Sequence, residues 1–494
     1  YNISIKTRRR MVWMPFNITQ EFVQQLLEQI AQLTKQVSEL TAEISELQQT
    51  IKELEEKKNR NSKNSSKPPS SDGYAKKPAS LHGRSGRKQG GQEGHEGANL
   101  AQRRPDRIVG CMPSKCAKCP RRDECMAKAK VTESRQVIDA VVTTEVVQYD
   151  RYRVTDCPLH GWSRDGRFPE GVNGPVQYGA SLQALVVALN TVGAVSIART
   201  HEILANVFDV PLSAATIKSM VSRCAGRLCD AISEIGRRLM DSSVDNADET
   251  GIRVDGKLKW AHVLCNGRYT LIRVHAKRGW EAMEDIGCLP RFHGTLVHDC
   301  WAPYWKHPGG ITHAICCAHL LRELTGIEEG HPDYTWPTKF KSLLLEMKKA
   351  RDRRAESGDM ELSRYYQRKF SRMYDGAIET AYEETPVPEP GPGKKKGRKK
   401  RGKVLALVDR LKEHKAAVCL FIKDFAVPFD NNQAERDLRM TKAKTKISGC
   451  FRTLDGAQEY LDIMSYASTA RKLGYNAYMA IQNAVSGDPM FIFS

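Results

Sequence analysis

Three acidic residues are placed where they could share one chemical task. Asp248 lies in SSVDNADETG (242–251) and Asp299 in GTLVHDCWAPY (294–304), each at the end of a β-branched stretch just before a turn. Glu435 lies in PFDNNQAERDLR (428–439), where Asn-Asn after proline breaks the chain and Gln-Ala-Glu-Arg-Asp-Leu-Arg runs on as good helix former. An N-capped, charge-laced surface helix is the plain alternative for that last stretch. Three carboxylates offer hard oxygen ligands, and with open coordination positions they suit Mg2+. Two such ions neutralise the anionic oxygens of a phosphodiester, activate a water or 3′-hydroxyl and stabilise the leaving oxygen. No Ser or Tyr is singled out as a covalent nucleophile.

A second group has softer chemistry. Of 14 cysteines, Cys111, Cys116, Cys119, Cys125 and Cys157 cluster, and the others scatter through apolar segments. Without a secretory signal this spacing reads as a metal module, not a disulfide framework. Cys116-x2-Cys119 and Cys157-x2-His160 flank RQVIDAVVTTEVVQYDRYRVT (135–155), an alternating stretch expected to form a hairpin, so the four enclose it as a zinc ribbon does. The other set, Cys111, Cys116, Cys119 and Cys125, has spacing that could hold an iron–sulfur cluster. Buried structural thiols are the plain alternative. Cys316, Cys317 and His319, with His298, His307 and His313 nearby, are expected in a core-facing helix and its surroundings.

The carboxylates need elements to bring them together. After Ser242 come three strands, a short helix (WEAMEDIG) and a fourth strand, with Asp248 on the first and Asp299 on the fourth. That is the ribonuclease H-like arrangement, in which those two strands are neighbours and a late helix carries the last acid, here Glu435. Upstream, 180–190, 195–208 and 213–228 read as three helices with Ser213 as an N-cap, a helix-turn-helix-like unit or an ordinary three-helix packing unit. The long interval between Asp299 and Glu435 contains FKSLLLEMKKARDRR and SRYYQRKFSRMYDGAIETAYEE, read as a helical insertion that could grip DNA.

The N-terminal part is different in kind. Val23, Ile30, Val37, Ile44 and Ile51 alternate with Leu26, Leu33, Leu40, Leu47 and Leu54, β-branched at a and leucine at d. This predicts a parallel dimeric coiled coil. The formal charge of +19 is concentrated: 57–107 holds 13 Lys/Arg against 4 Asp/Glu, and KKKGRKKRGK (394–403) adds eight cations. Both stretches are polar and rich in Gly, Pro or charge, and such flexible basic runs suit a polyanion, or else are solvated tails. No run of eighteen apolar residues occurs, and a soluble, cytoplasmic protein without a secretory signal is expected. The chain begins at Tyr1, ahead of Met11 and Met14, and residues 1–13 read as upstream of the start codon.

The expected organisation is multidomain α+β: an extension (1–21), the coiled coil (22–56), a basic linker (57–107), the Cys/His module (108–175), the helical unit (176–241), the first part of the core (242–329), the insertion and second linker (330–403), and the rest of the core (404–494).

NSSKPPSSD, GRKQGGQEGHEG, PVQYG, DETG, HDCWAPY, CCAHLLREL, DNNQAERDLR and KISGCFRTLDGA follow one another between residues 61 and 457. In these motifs and their order the chain resembles the large catalytic subunit of DDE transposases from bacterial insertion sequences of the "sixty-six" family. The resemblance implies that Asp248, Asp299 and Glu435 are the catalytic triad and that Asn431, Asn432, Arg436 and Arg439 shape the third motif. It implies Mg2+ as catalytic metal, element ends and target DNA as substrates, and small element-encoded accessory proteins as partners. Two departures stand out: Cys157-Pro-Leu-His160 replaces the usual second Cys-x2-Cys, and Cys450 occupies a common glycine position in SGCFR. A catalytically dead DNA-binding regulator and a stand-alone nuclease are the rival readings, and strand transfer separates them from a transposase.

Overall fold

A computed structural model describes residues 20–59, 64, 102–111, 113, 115–116, 118–138, 142–155, 158–159, 164–386 and 402–494. Cys157, His160, most of the 57–107 linker and most of the 394–403 basic run lie outside the described residues. The first element is the helix α1, Gln20–Asn59, 40 residues long, or about 60 Å at 1.5 Å per residue. Its a and d side chains are 42–61% exposed. The short helix α2, Arg122–Lys128, follows, with Asp123 and Glu124 in its first turn and Lys128 in its last, as the helix dipole favours.

The hairpin expected within 135–155 is not formed among the described residues. Arg153–Val154 (β1) instead pairs antiparallel with Arg164–Asp165 (β2). A two-stranded ribbon is marginal unless something covers one face, and Val137 and Val146, about nine-tenths exposed, have no cover.

From Ala180 the chain is densely packed. Helices α3 (Ala180–Asn190), α4 (Ile197–Phe208), α5 (Ala214–Arg227) and α6 (Cys229–Met240) come first. The hydroxyls of Ser196 and Ser213 accept from Arg199 N and Thr216 N and so start α4 and α5. The sequence reading ended its third helix at Leu228, the residue that caps α5, and missed α6.

The strands β3 (Val244–Val254), β4 (Lys257–Cys265) and β5 (Thr270–His275), the helix α7 (Trp280–Ile286), and the strands β6 (Thr295–His298) and β7 (Thr312–Ile315) follow. They form one mixed sheet in the order β5-β4-β3-β6-β7. β3, β4 and β5 pair antiparallel, while β3, β6 and β7 pair parallel. Asp255 and Gly256, with φ of 49° and 69°, make the tight β3–β4 turn.

The remaining elements are α8 (Cys317–Gly330), α9 (Trp336–Glu356), α10 (Arg364–Glu384), α11 (Lys403–Glu413), α12 (Lys415–Val418), α13 (Asn432–Ser448), α14 (Leu454–Lys472) and α15 (Ala477–Ser486).

Three clusters of buried apolar residues surround the sheet. Helices α3, α5, α6 and α15 share one with Ala247, Leu264 and Leu271, so the block read as 176–241 packs directly on the sheet. Ile252, Val254, Ala261, Val263 and Ile272 pack with Ala434 and Leu438 of α13 and Leu461 of α14 on the opposite face. The insertion likewise shares its interior with the sheet: Phe340, Phe370 and Leu407 join Val297, Ala314 and Ile315. Helix α14 also closes the sheet's edge. Thr270 N, Ile272 N and Val274 N of β5 donate to Thr469 Oγ1, Ser465 Oγ and Gln458 Oε1 at 2.8–3.0 Å, so side chains replace the missing strand.

Candidate active site

Side chains alternate along a strand, so Asp248 shares a face of β3 with Ile252 and Val254, the face that packs on α13 and α14. The strand does not end at Asp248 as its sequence implied; it continues to Val254 because β4 pairs with it throughout. The ladder to β6 is shorter and stops at Asn246↔Val297. Every pair in it joins residues 51 apart, which is also the separation of Asp248 and Asp299 just past its end, and the charge of Asp299 reaches Asp248. Asp299 is the first residue beyond β6, followed by Cys300 in the left-handed region at φ 66°. Non-glycine residues held there are strained, and such residues concentrate at functional sites.

Glu435 stands in the first turn of α13, where the helix dipole favours an acid. Asn431, fully buried just before that helix, ties it to the strand carrying Asp248. Its Nδ2 donates to Ala247 O and its Oδ1 accepts from Asn246 Nδ2, both at 2.8 Å. Its backbone N donates to Cys316 Sγ at 3.1 Å. Cys317 N at the start of α8 donates to Phe429 O at 3.0 Å, fixing the preceding loop. Asn432 N donates to Asp430 Oδ1, closing the turn into the helix. Arg436 and Arg439 point outward and are exposed, and Arg436 donates to Gln433 Oε1.

The electrostatics bind the three acids into one unit. Burial pushes Asp248 up to about 8, and the charges of Glu249, Asp299 and Glu435 all add to the rise. Burial likewise raises Asp299, against the opposing pull of Arg278 and Arg410. Each aspartate is turned to its own donor: Asp248 Oδ1 accepts from Glu249 N at 2.9 Å and Asp299 Oδ1 from Trp301 N at 3.0 Å. Glu435 Oε1 is buried without a hydrogen bond, with Arg322 Nη2 at 3.7 Å and His319 Nε2 at 3.8 Å. Burial lowers His319 to about 4, so it is neutral at pH 7.

Among the described residues no three His, Cys, Asp or Glu side chains are gathered tightly enough to hold a metal as they stand. The donor set nevertheless fits hard divalent cations. Burial raises both aspartates, the neighbouring acids add to the rise of Asp248, and one Glu435 oxygen is buried without a hydrogen bond; a cation would relieve both strains. The soft set is a different matter. Cys111, Cys116, Cys119 and Cys125 are free thiols, mostly exposed, and Cys157 and His160 lie outside the described residues. Cys316, Cys317 and His319 are buried at the start of α8, as expected of a core-facing helix, but this helix follows β7, a fifth strand that the sequence reading missed. His319 also faces Glu435, which the reading as a core residue did not foresee.

Sequence reasoning also missed Glu249, Arg278 and Tyr304, which meet behind Asp248. The only local signal was a second acid beside Asp248 in DETG, since its partners come from α7's approach and from the turn after β6.

Residues 175–459, more than half of the chain, match the family described as Transposase IS66 family. Residues 17–101 match a family of unknown function. No curated protein matches the chain. Among the described residues no helix is long and apolar enough to cross a membrane.

Proposed function

The chain belongs to the IS66 family of transposases, and we propose that it is a DDE enzyme in which Asp248, Asp299 and Glu435 hold two Mg2+ ions while the element's ends are cut and joined to target DNA. The observation that carries this reading is the way the acid-bearing elements are joined: β6, which leads to Asp299, pairs with β3, and Asn431 at the start of Glu435's helix donates to Ala247 O beside Asp248. The sheet order, with three antiparallel strands followed by two parallel ones and the third acid on a helix across one face, supports a ribonuclease H-like core.

When bound, the two ions shield the phosphate and lower the pKa of the attacking hydroxyl. The protein's own part is positioning. The parallel pairing of β3 and β6 brings together the strands that lead to the two aspartates, and Asn431 ties the start of Glu435's helix to β3. Neutral His319 and cationic Arg322 hold Glu435 from α8 without forming a tight salt bridge, which leaves its oxygens free for a ligand.

The exposed a/d seam of α1 supports a parallel homodimer. For the Cys/His module we favour a structural zinc held by Cys116, Cys119, Cys157 and His160, with the iron–sulfur set as the alternative. Double-stranded DNA is the substrate, and small element-encoded proteins are plausible accessory partners.

The test is a strand-transfer assay with Mg2+ on a duplex carrying the element's terminal repeat, read from the DNA flanking the gene. Cleavage and joined products are expected. Cleavage without joining would favour the stand-alone nuclease, and binding without either would favour the regulator.

A further inference from the structure

Glu249 follows Asp248 but lies on the other face of β3, and the metal-ion chemistry gives it no task. Its side chain is 1% exposed. A carboxylate so far from water is costly unless its oxygens are well engaged. Arg278 Nε and Nη2 donate to Oε1 at 2.8 and 2.5 Å, and the buried Tyr304 hydroxyl donates to Oε2 at 2.7 Å. The arginine is gripped a second way. Its Cζ stands 4.0 Å from the centroid of the Trp301 ring and 4.9 Å from that of Trp260, within the range of a cation over an indole.

All this machinery orients a guanidinium that is only partly used. The Arg278 side chain remains 36% exposed, and among the described residues its Nη1 donates no hydrogen bond. Salt bridge and indoles have already removed its rotational freedom, so a ligand would not have to order it. Its position is also informative. Trp301, the closer of the two rings, donates its backbone N–H to Asp299 Oδ1, and the arginine's charge reaches Asp299 itself. A fixed fork of N–H donors, half open to solvent beside the acids, has the geometry of an oxyanion receptor.

We propose that Arg278 is a phosphate clamp, gripping a non-bridging oxygen of a DNA phosphodiester next to the scissile one. Glu249, Tyr304, Trp260 and Trp301 are its positioning residues. The proposal rests on the transposase reading above. Its rival is a staple that only ties the start of α7 to β3.

Replacing single phosphates of the cleaved strand by neutral methylphosphonate separates the two. The duplex carries the element's own end, with Mg2+, and the enzymes are the wild type, Arg278→Ala, Arg278→Lys and the double variant Glu249→Gln/Arg278→Gln, which leaves no orphaned buried charge if the alanine variant folds poorly. In the wild type, methylphosphonate at one phosphate beside the scissile one should slow cleavage about 10- to 100-fold, the range of a lost charge-assisted contact. Arg278→Ala and the double variant should be slowed by a similar factor on native DNA and lose no more when that phosphate is neutralised. Arg278→Lys should keep part of the penalty. If the penalty persists in full in the alanine and double variants, Arg278 does not touch that phosphate and is a staple. A wild type that binds but does not cut overturns the transposase reading, and the clamp with it.

Discussion

The region from Ala180 onward and the region from Gln20 to Tyr178 share one chain but are held together by different means. The first buries apolar side chains on both faces of a five-stranded sheet and satisfies even its edge strand with side chains from α14. In the second, no described residue is buried, and a 40-residue helix displays its leucine and isoleucine seam to solvent. Apolar burial is the main source of folding free energy, and the described N-terminal region shows little of it; on the proposed reading a second chain along α1, a metal in the Cys/His module or DNA would supply what it lacks. The contrast teaches where the chemistry belongs. A preorganised cluster of repelling carboxylates can be held only by the part of the chain that is stable without it.

Four experiments would break or sharpen that contrast. The largest effect is expected from Asp248→Asn, Asp299→Asn and Glu435→Gln, each lowering end cleavage by about 10³-fold or more, since each removes a metal-holding charge without altering shape. Unfolding temperature and DNA affinity should change little. Cleavage near the wild-type rate in any one of them, with Mg2+, removes that residue from the triad.

Next in size is a pair of truncations. Leu461→Ala, in the core between α14 and the sheet, should cost about 2–5 kcal/mol of stability. Leu40→Ala, at a d position of α1, should leave the core's unfolding unchanged and weaken association instead. Deleting 23–54 should leave a folded core that light scattering finds mostly monomeric at micromolar concentration. A fully dimeric truncated protein would move the assembly contact into the core.

The metal module should behave as part of the dependent region. The purified protein is expected to be colourless, with about one zinc per chain, the load of a single four-ligand site. Cys157→Ser should lose it and Cys111→Ser should not, with the core's melting unaffected in both. A brown protein with iron and labile sulfide would promote the set with Cys111 and Cys125.

The smallest effect is a pH dependence of the core without divalent cation. Asp248 is raised to about 8 and Asp245, also buried, to about 7, above the unfolded value of about 3.9. The folded state therefore binds more protons between these limits. Stability from this source is complete below about pH 4 and is lost as pH rises through 7 to 8. The unfolding temperature measured from pH 5 to 9 should fall, less steeply in Asp248→Asn, and millimolar Mg2+ should recover it at the alkaline end in the wild type but not in that variant. A wild-type profile indifferent to Mg2+ would count against a cation at these carboxylates.

Much of the protein was legible without coordinates because it is written in local periodicity. The heptad marks α1, alternation marks β3, β4 and β5, Ser213 marks the start of α5, and the helix beginning at Asn432 follows from a break and a run of helix formers. These features depend on neighbours a few residues apart, which is the range over which propensity and capping act. The hairpin expected within 135–155 shows the limit of such reasoning, since alternation alone does not make a ribbon when no core covers it. The four-residue strand β7 is too short to carry a pattern, and only Leu228 separates α6 from α5, with no capping side chain to announce it.

The site divides along the same line. The order of strands and helices, together with the resemblance of the motifs, pointed to three acids and placed each on a strand or a helix. Only the tertiary structure decided that β3 and β6 pair in parallel with an offset of 51 residues, that Asn431 fastens Glu435's helix to Ala247, and that Glu249 is held by Arg278 and Tyr304 from behind. Strand register and the pairing of buried polar groups are settled by contacts between distant segments, where packing and desolvation compete across the whole core. No stretch of sequence contains both partners of such a contact, so none can reveal it.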